Sequence, residues 1–279
     1  MSSILSNPMS KAIYQPSGKA REYSPWACNL FVGCSNDCTY CFNKRGVLGT
    51  VMGGREPRLK SCFKDSHEAF NTFLRELQKH RERIRHDGGL LFSFSTDPCL
   101  PETIDLTMMC VAVATGMKVP CLILTKCTDW LREEEHWMDC LALPKDHLAV
   151  GFTLTGRDDL EPGAPPNAER IREMEKLHGK GIKTFASIEP VIGFGESLDM
   201  IRKAEPYCDH FKAGLLSGDR DAYSASRMPE DLESFVYEVD DLLTLKGKTV
   251  YWKESVRNAL GYAPADPCCV NASYNMINR

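Results

Sequence analysis

Six short apolar runs, "ACNLFVG" (27 to 33), "LLFSFS" (90 to 95), "CLILT" (121 to 125), "LAVGFTL" (148 to 154), "IKTFASI" (182 to 188) and "HFKAG" (210 to 214), recur with long intervals between them. Apolar runs of this length read as buried strands, and parallel strands need crossover segments of a dozen residues or more. The intervals hold helical patterns. Between 66 and 84, Phe70, Phe73, Leu74, Leu77 and Ile84 share one face behind "DSHE", an acid-first capping box. A second pattern runs from Asn167 through Ile171, Met174 and Leu177 to Gly179, and a third follows Pro229 with Leu232, Phe235, Val236, Val239 and Leu243. This alternation predicts an α/β chain with a parallel sheet, either doubly wound or a full or partial barrel.

A seventh strand, "KTVYW" (248 to 252), is expected at one edge. No composition break marks a second domain, so residues 1 to 24 read as an N-terminal extension, 25 to 255 as the α/β unit and 256 to 279 as an aperiodic tail packed on it. The Pro- and Gly-rich "GRDDLEPGAPPNAER" lies between a strand and a helix and is expected to be an active-site loop.

The N-terminus has no apolar signal region, and no run approaches the ~18 apolar residues of a membrane span. The expectation is a cytoplasmic protein with no membrane partner. The formal charge of −4 argues against gripping duplex DNA, which takes a basic surface. The one basic run, "KHRERIRH" (79 to 86), reads as a solvated helix face.

Thirteen cysteines are present. Those in "PCLILT", "MMCVAV" and "WMDCLAL" sit in apolar contexts, where a thiol packs as a small hydrophobe. "FVGCSNDCTYCFNKR" is different, because Cys34, Cys38 and Cys41 fall within eight positions as C-x3-C-x2-C. In a reducing compartment such clustering points to a metal or to redox chemistry. A structural zinc needs a fourth ligand, and the nearest cysteine, Cys28, lies inside a predicted strand that should not reach a loop cage. Three thiolates instead suit a [4Fe-4S] cluster with one iron left open.

C-x3-C-x2-C with an aromatic just before the last cysteine resembles the radical S-adenosylmethionine (SAM) superfamily. That resemblance implies a partial (β/α)6 TIM-like barrel, a [4Fe-4S] cluster on Cys34, Cys38 and Cys41, and SAM chelating the open iron. It further implies reductive cleavage of SAM to methionine and a 5'-deoxyadenosyl radical, with electrons from a reductant such as flavodoxin or ferredoxin. "FSTDPCLPE", "LILTKC", "LTGRDDLEPGAPPNAERIREMEKLHGKGI" and "SIEPVIGFG" are similar in order and spacing to motifs of the spore photoproduct lyase branch over about residues 25 to 215. "YWKESV" is similar to the ending of a related phage-associated branch. The Gly-Gly-Glu that commonly receives the methionyl amine is replaced here by Ser95, Thr96 and Asp97.

The resemblance sorts the strand-end residues, since barrel chemistry sits at the C-terminal ends of strands. Tyr40, Phe42, Ser95, Thr96, Asp97, Lys126, Thr153, Thr155, Ser187 and Glu189 are expected to bind the cofactor, with Ser95, Thr96 and Asp97 at the methionyl group and Lys126 at its carboxylate. Ser95 to Asp97 read equally as a helix cap, Lys126 as a snorkelling surface lysine, and Glu189 as a cap or a substrate ligand. Asn43, Lys212, Asp231, Trp252, Lys253 and Glu254 are expected to bind substrate, with Lys212, Trp252, Lys253 and Glu254 also reading as an exposed charged edge. Cys127, beside Lys126, is the candidate hydrogen-atom donor, since lyases of this branch use an extra cysteine in that role; its alternative is packing. No second C-x2-C pair exists and Cys268 and Cys269 are adjacent, so no auxiliary cluster is expected.

Such lyases fragment a bond beside a substrate radical. The charge balance favours a small nucleobase-like substrate over duplex DNA, and queuine lyases of this branch and size supply a model, with Asp97, Glu189 or Asp231 as partners for a guanine-like edge. A nucleic-acid lesion lyase and a zinc-binding interaction module are the competing readings.

Overall fold

A computed structural model describes residues 11–131, 145–216 and 229–263 of the chain. Its main sheet runs in the order β1 (Ile13–Tyr14), β2 (Trp26–Cys28), β5 (Leu90–Phe92), β6 (Cys121–Thr125), β7 (Leu148–Thr153), β8 (Lys183–Val191), β9 (His210–Leu215) and β10 (Thr249–Trp252). Strand β1 is antiparallel to β2, and every later neighbour is parallel. The helices α2 (Ser66–Asp87), α3 (Ile104–Gly116), α4 (Asn167–Gly179), α5 (Phe194–Ala204) and α6 (Pro229–Leu245) supply the crossovers, and α7 (Glu254–Ala259) follows β10. The result is an open, partial (β/α) barrel, one of the architectures the alternation allows and the one the family resemblance implies.

The run at 27 to 33 is not one strand. After β2 the chain turns out at Asn29, whose Oδ1 accepts from Phe94 N and whose Nδ2 donates to Tyr14 Oη. Phe31–Val32 (β3) then leaves the main sheet to pair antiparallel with Arg58–Leu59 (β4). The cysteine loop therefore hangs from this small ribbon and not from the end of a barrel strand. Helix α1 (Gly46–Val51) lies between the loop and β4.

Side-chain alternation sorts the two faces of the sheet. Cys28, Phe92, Ile123, Val150, Ala186, Phe211, Ala213 and Trp252 belong to one cluster with the helix residues Phe73, Leu77, Met174, Ile201 and Val239. Leu91, Leu122, Ala149 and Phe185 form a separate cluster with Tyr23 on the concave face. Gly151 makes this inner packing possible, because a Cβ there would lie 2.3 Å from the Phe185 ring. Fully burying one such phenylalanine contributes about 1.5–3 kcal/mol.

Helix α2 begins at Asp65, whose carboxylate accepts from Glu68 N, while Glu68 reaches back to Lys64 N. It buries Ala69, Phe73, Leu77 and Ile84; in the 79 to 86 run only Ile84 is buried. Cys110 and Cys121 are buried as packing residues, whereas Cys140, Cys268 and Cys269 lie outside the described residues, as does the tail from 264 on. No helix among the described residues is long and apolar enough to cross a membrane.

Candidate functional site

The C-terminal ends of the strands and the cysteine loop enclose a cavity of about 380 Å³, within the usual range for small-molecule sites. Cys34, Cys38 and Cys41 all line it, together with Tyr40, Phe42, Asn43, Ser95, Thr96, Asp97, Lys126, Thr153, Ser187, Glu189 and Lys253. Thr155, Lys212, Asp231, Trp252, Glu254 and Cys127 do not line it.

The reasons for those six departures differ. Trp252 is one position out of phase with Lys253, so it faces the helices and its Nε1 donates to Asp240 Oδ1 at 2.8 Å. Asp231 and Glu254 are exposed on helices, Glu254 being the first residue of α7. Thr155 is buried behind the strand ends, where its N donates to Asn167 Oδ1 and its hydroxyl accepts from Arg157 N. Cys127 stands behind Asn36, donating from Sγ to Asn36 Oδ1, and burial reinforced by the Asp97 charge holds its thiol protonated. Lys212 lies deeper in the barrel, donating to the Glu22 and Tyr23 carbonyls.

Asp97 also departs from expectation, though it lines the cavity. Its Oδ1 accepts from Cys99 N at 3.0 Å and Thr125 Oγ1 at 2.6 Å, and its Oδ2 from Asn36 Nδ2 at 2.8 Å and Lys126 N at 2.7 Å. Four donors fill the carboxylate's ordinary acceptor sites. Asp97 is thus the joint that ties the cysteine loop, through Asn36, to the ends of β5 and β6. It is not an open ligand for an ammonium group. Ser95 Oγ is likewise engaged, donating to the Phe31 carbonyl.

Two polar atoms at the cavity are buried without hydrogen-bond partners among the described residues, Thr96 Oγ1 and Asn43 Oδ1. Asn43 Nδ2 donates to the Phe94 carbonyl at 3.1 Å. Buried polar groups are rarely left unpaired, so both suit a bound group.

The loop 156 to 166 packs onto the cysteine loop without itself lining the cavity. Thr39 N donates to the Leu160 carbonyl and Gly163 N to the Asn36 carbonyl. A Cβ at Gly163 would sit 2.1 Å from the Ser35 oxygen, so no other residue permits this approach. Beneath it Tyr40 Oη donates to Glu161, which pairs with Arg170 at 2.7 Å, and Lys126 Nζ lies 3.9 Å from the same carboxylate. Burial works against the Lys126 charge, but Cys38, in its thiolate form, and the Glu161 carboxylate more than offset it; the pKa lies above its ordinary value and the ammonium stays charged toward the cavity. Burial pushes the Cys34 thiol up to about 12 and the Cys38 thiol up as well, so both are protonated at neutral pH.

At the opposite wall Tyr23, from the segment before β2, enters the barrel. Its hydroxyl contacts Ser187 Oγ at 2.7 Å and donates to Glu189 Oε2. Lys253 Nζ donates to the same Glu189 oxygen at 2.7 Å, lies 3.6 Å from Glu22 Oε2, and sits over the Tyr23 ring at 4.3 Å. Burial and the neighbouring Glu189 charge keep the Tyr23 phenol protonated. Neither Glu22 nor Tyr23, and neither Glu161 nor Arg170, is expected at the site from the sequence, although the last two lie in a stretch carrying the family resemblance.

Burial, and then the Lys253 charge, push Lys212 down to about 7. An unfolded lysine keeps its proton up to about 10.4, so the folding penalty is full below pH 7 and is relieved as pH rises toward 10. Stability should therefore climb over that window, and Lys212→Met should flatten the climb. Urea midpoints of both proteins at pH 7 and pH 9 measure this; identical slopes would contradict it.

No family model matches the chain, and no curated protein matches it. Solved structures do. SuiB of Streptococcus suis bound to S-adenosylmethionine is similar with a TM-score of 0.54 at 14% identity, over 83% of this chain and 51% of that one. SuiB alone gives 0.54 at 14% over 85% and 52%, and SuiB bound to precursor peptide SuiA gives 0.54 at 15% over 80% and 47%. The chain spans about half the length of these structures. At such identity the likeness establishes the fold.

Proposed function

We propose that this chain is a radical SAM enzyme acting on a small nucleobase-like substrate, with a [4Fe-4S] cluster on Cys34, Cys38 and Cys41. The observation that carries the reading is a single cavity lined by all three thiols of the motif and by polar strand ends. Among the described residues no three His, Cys, Asp or Glu groups converge closely enough to hold a single metal ion. Three cysteines on one loop suit a [4Fe-4S] cluster with one iron left open better than a tetrahedral zinc, which takes four ligands. The likeness to a structure that holds S-adenosylmethionine supports the same cofactor here.

When bound, the cluster and SAM supply a carbon radical able to take hydrogen from an unactivated carbon. The chain supplies binding and orientation. Lys126 offers its ammonium to the cofactor carboxylate. Thr96 Oγ1 and Asn43 Oδ1, the two unpartnered atoms, accept from the methionyl amine or a neighbouring donor. Thr153 and Ser187 offer hydroxyls along the strand ends, and Tyr40 forms an aromatic wall. Phe42, 49% exposed beside Cys41, adds an apolar side chain to the cavity wall.

For the reaction we propose a lyase outcome, with queuine cleaved to 7-aminomethyl-7-deazaguanine as the named candidate. Reconstituted, reduced protein should form 5'-deoxyadenosine faster with queuine and release the shortened base. Stimulation by lesion-containing oligonucleotide but not by free base would replace this substrate class with nucleic acid.

A further inference from the structure

A carboxylate and an ammonium held side by side form a two-part reader, one half accepting hydrogen bonds and the other donating them. Three acidic residues are candidate partners for a guanine-like edge. Asp97 has its acceptor sites filled by four protein donors, and Asp231 is exposed on α6, away from the cavity. Glu189 remains. It lines the cavity with its side chain 17% exposed; its Oε2 already accepts from Tyr23 Oη and from Lys253 Nζ, the latter at 2.7 Å, which leaves Oε1 as its open acceptor.

The space around this pair is built for it. A Cβ on Gly214 would come within 2.9 Å of Lys253 Cδ and 3.1 Å of Glu189 Oε1, so glycine there leaves the pair room. Tyr23 packs edge-on to Phe94 at 6.1 Å between ring centroids, and with Leu124, Leu215 and Leu216 these rings give the cavity flat apolar walls.

We propose that Glu189 and Lys253 form a specificity subsite for a planar lactam edge, the N–H and amino groups of a guanine-like base donating to Glu189 Oε1 while its carbonyl accepts from Lys253. This deepens the reading of the cavity given above and rests on it for the substrate class. A base with the opposite edge, such as adenine, would set an acceptor against the carboxylate, and a site of buried polar groups rejects such a mismatch strongly. Hypoxanthine keeps the lactam but lacks the amino group, so it loses one bond.

Titration calorimetry on the full chain, with and without iron–sulfur reconstitution, tests the subsite using 7-deazaguanine, 7-deazahypoxanthine and 7-deazaadenine as probes. The expected result is 7-deazaguanine bound at least ~10-fold tighter than 7-deazaadenine, with 7-deazahypoxanthine between them. Glu189→Gln, which preserves shape, should reduce that preference to less than ~3-fold. Lys253→Met should weaken both lactams and leave 7-deazaadenine little changed. Equal binding of the three bases, no binding of any, or a Glu189→Gln protein that keeps the full preference would overturn the assignment. Failure of the reconstituted protein to cleave SAM, with the base preference intact, would instead count against the enzymatic reading alone.

Discussion

Cys38→Ala is expected to abolish cluster assembly while leaving the fold in place. The Cys38 side chain is buried at the cavity wall, but the turn it belongs to is held by backbone, with Cys41 N donating to the Cys38 carbonyl and Thr39 N to the Leu160 carbonyl. Alanine keeps both bonds. Two remaining thiols cannot hold a cubane that needs three. Iron retained after anaerobic reconstitution should fall to less than about a tenth of wild type, and SAM cleavage by about 1000-fold, about 4 kcal/mol at the barrier. The melting temperature of the metal-free variant should stay close to that of the metal-free wild type. Unchanged iron content and visible absorbance in the variant would contradict the assignment.

Asp97→Asn should be the more damaging change to the structure. The wild-type carboxylate accepts from Cys99 N, Thr125 Oγ1, Asn36 Nδ2 and Lys126 N. An amide has one acceptor oxygen, so its NH2 must face donors on the other side, leaving buried groups unpaired. The expected cost is about 3–5 kcal/mol, or a melting temperature lower by about 10 °C. Because Asn36 is released, the cysteine loop should loosen too, and iron uptake should fall even though every thiol remains. A melting temperature within ~2 °C of wild type would show that this joint does not hold the loop.

The sequence is most informative where a regular period governs. Apolar runs place β5 to β10 closely, and Asn167–Gly179 forms the helix its caps and spacing predict. Helix α3 is hard to see because it is apolar nearly all round, burying Ile104, Leu106, Met108, Cys110 and Val111, so no polar stripe reveals its period. The first strand misleads for another reason. Its apolar content is continuous through Val32, but the Asn29 side chain ties the chain outward through partners at 14 and 94, which no local pattern displays.

The site shows the same division. A strict spacing of three cysteines is visible at a glance, and strand-end position brings most of the expected polar residues to one cavity. Trp252 and Lys253 show the limit of that reasoning, since adjacent residues at a strand end face opposite ways and a one-residue uncertainty exchanges cavity for core. Tyr23 and Glu22 reach the barrel interior from before β2 to meet Glu189 and Lys253, contacts spanning most of the chain. Asp97 has the residue type of a ligand and the position of one, and only its four donors reveal that it is already occupied.

Cluster-dependent cleavage of SAM is tested most directly by reconstituting the full chain anaerobically with iron and sulfide, reducing it, adding SAM and analysing the products. The expected result is about four irons per chain, a broad visible shoulder that dithionite bleaches, and release of 5'-deoxyadenosine with methionine. A fully loaded, fully reduced protein that leaves SAM intact with every candidate base present, or a chain that takes up zinc in place of iron, would contradict it.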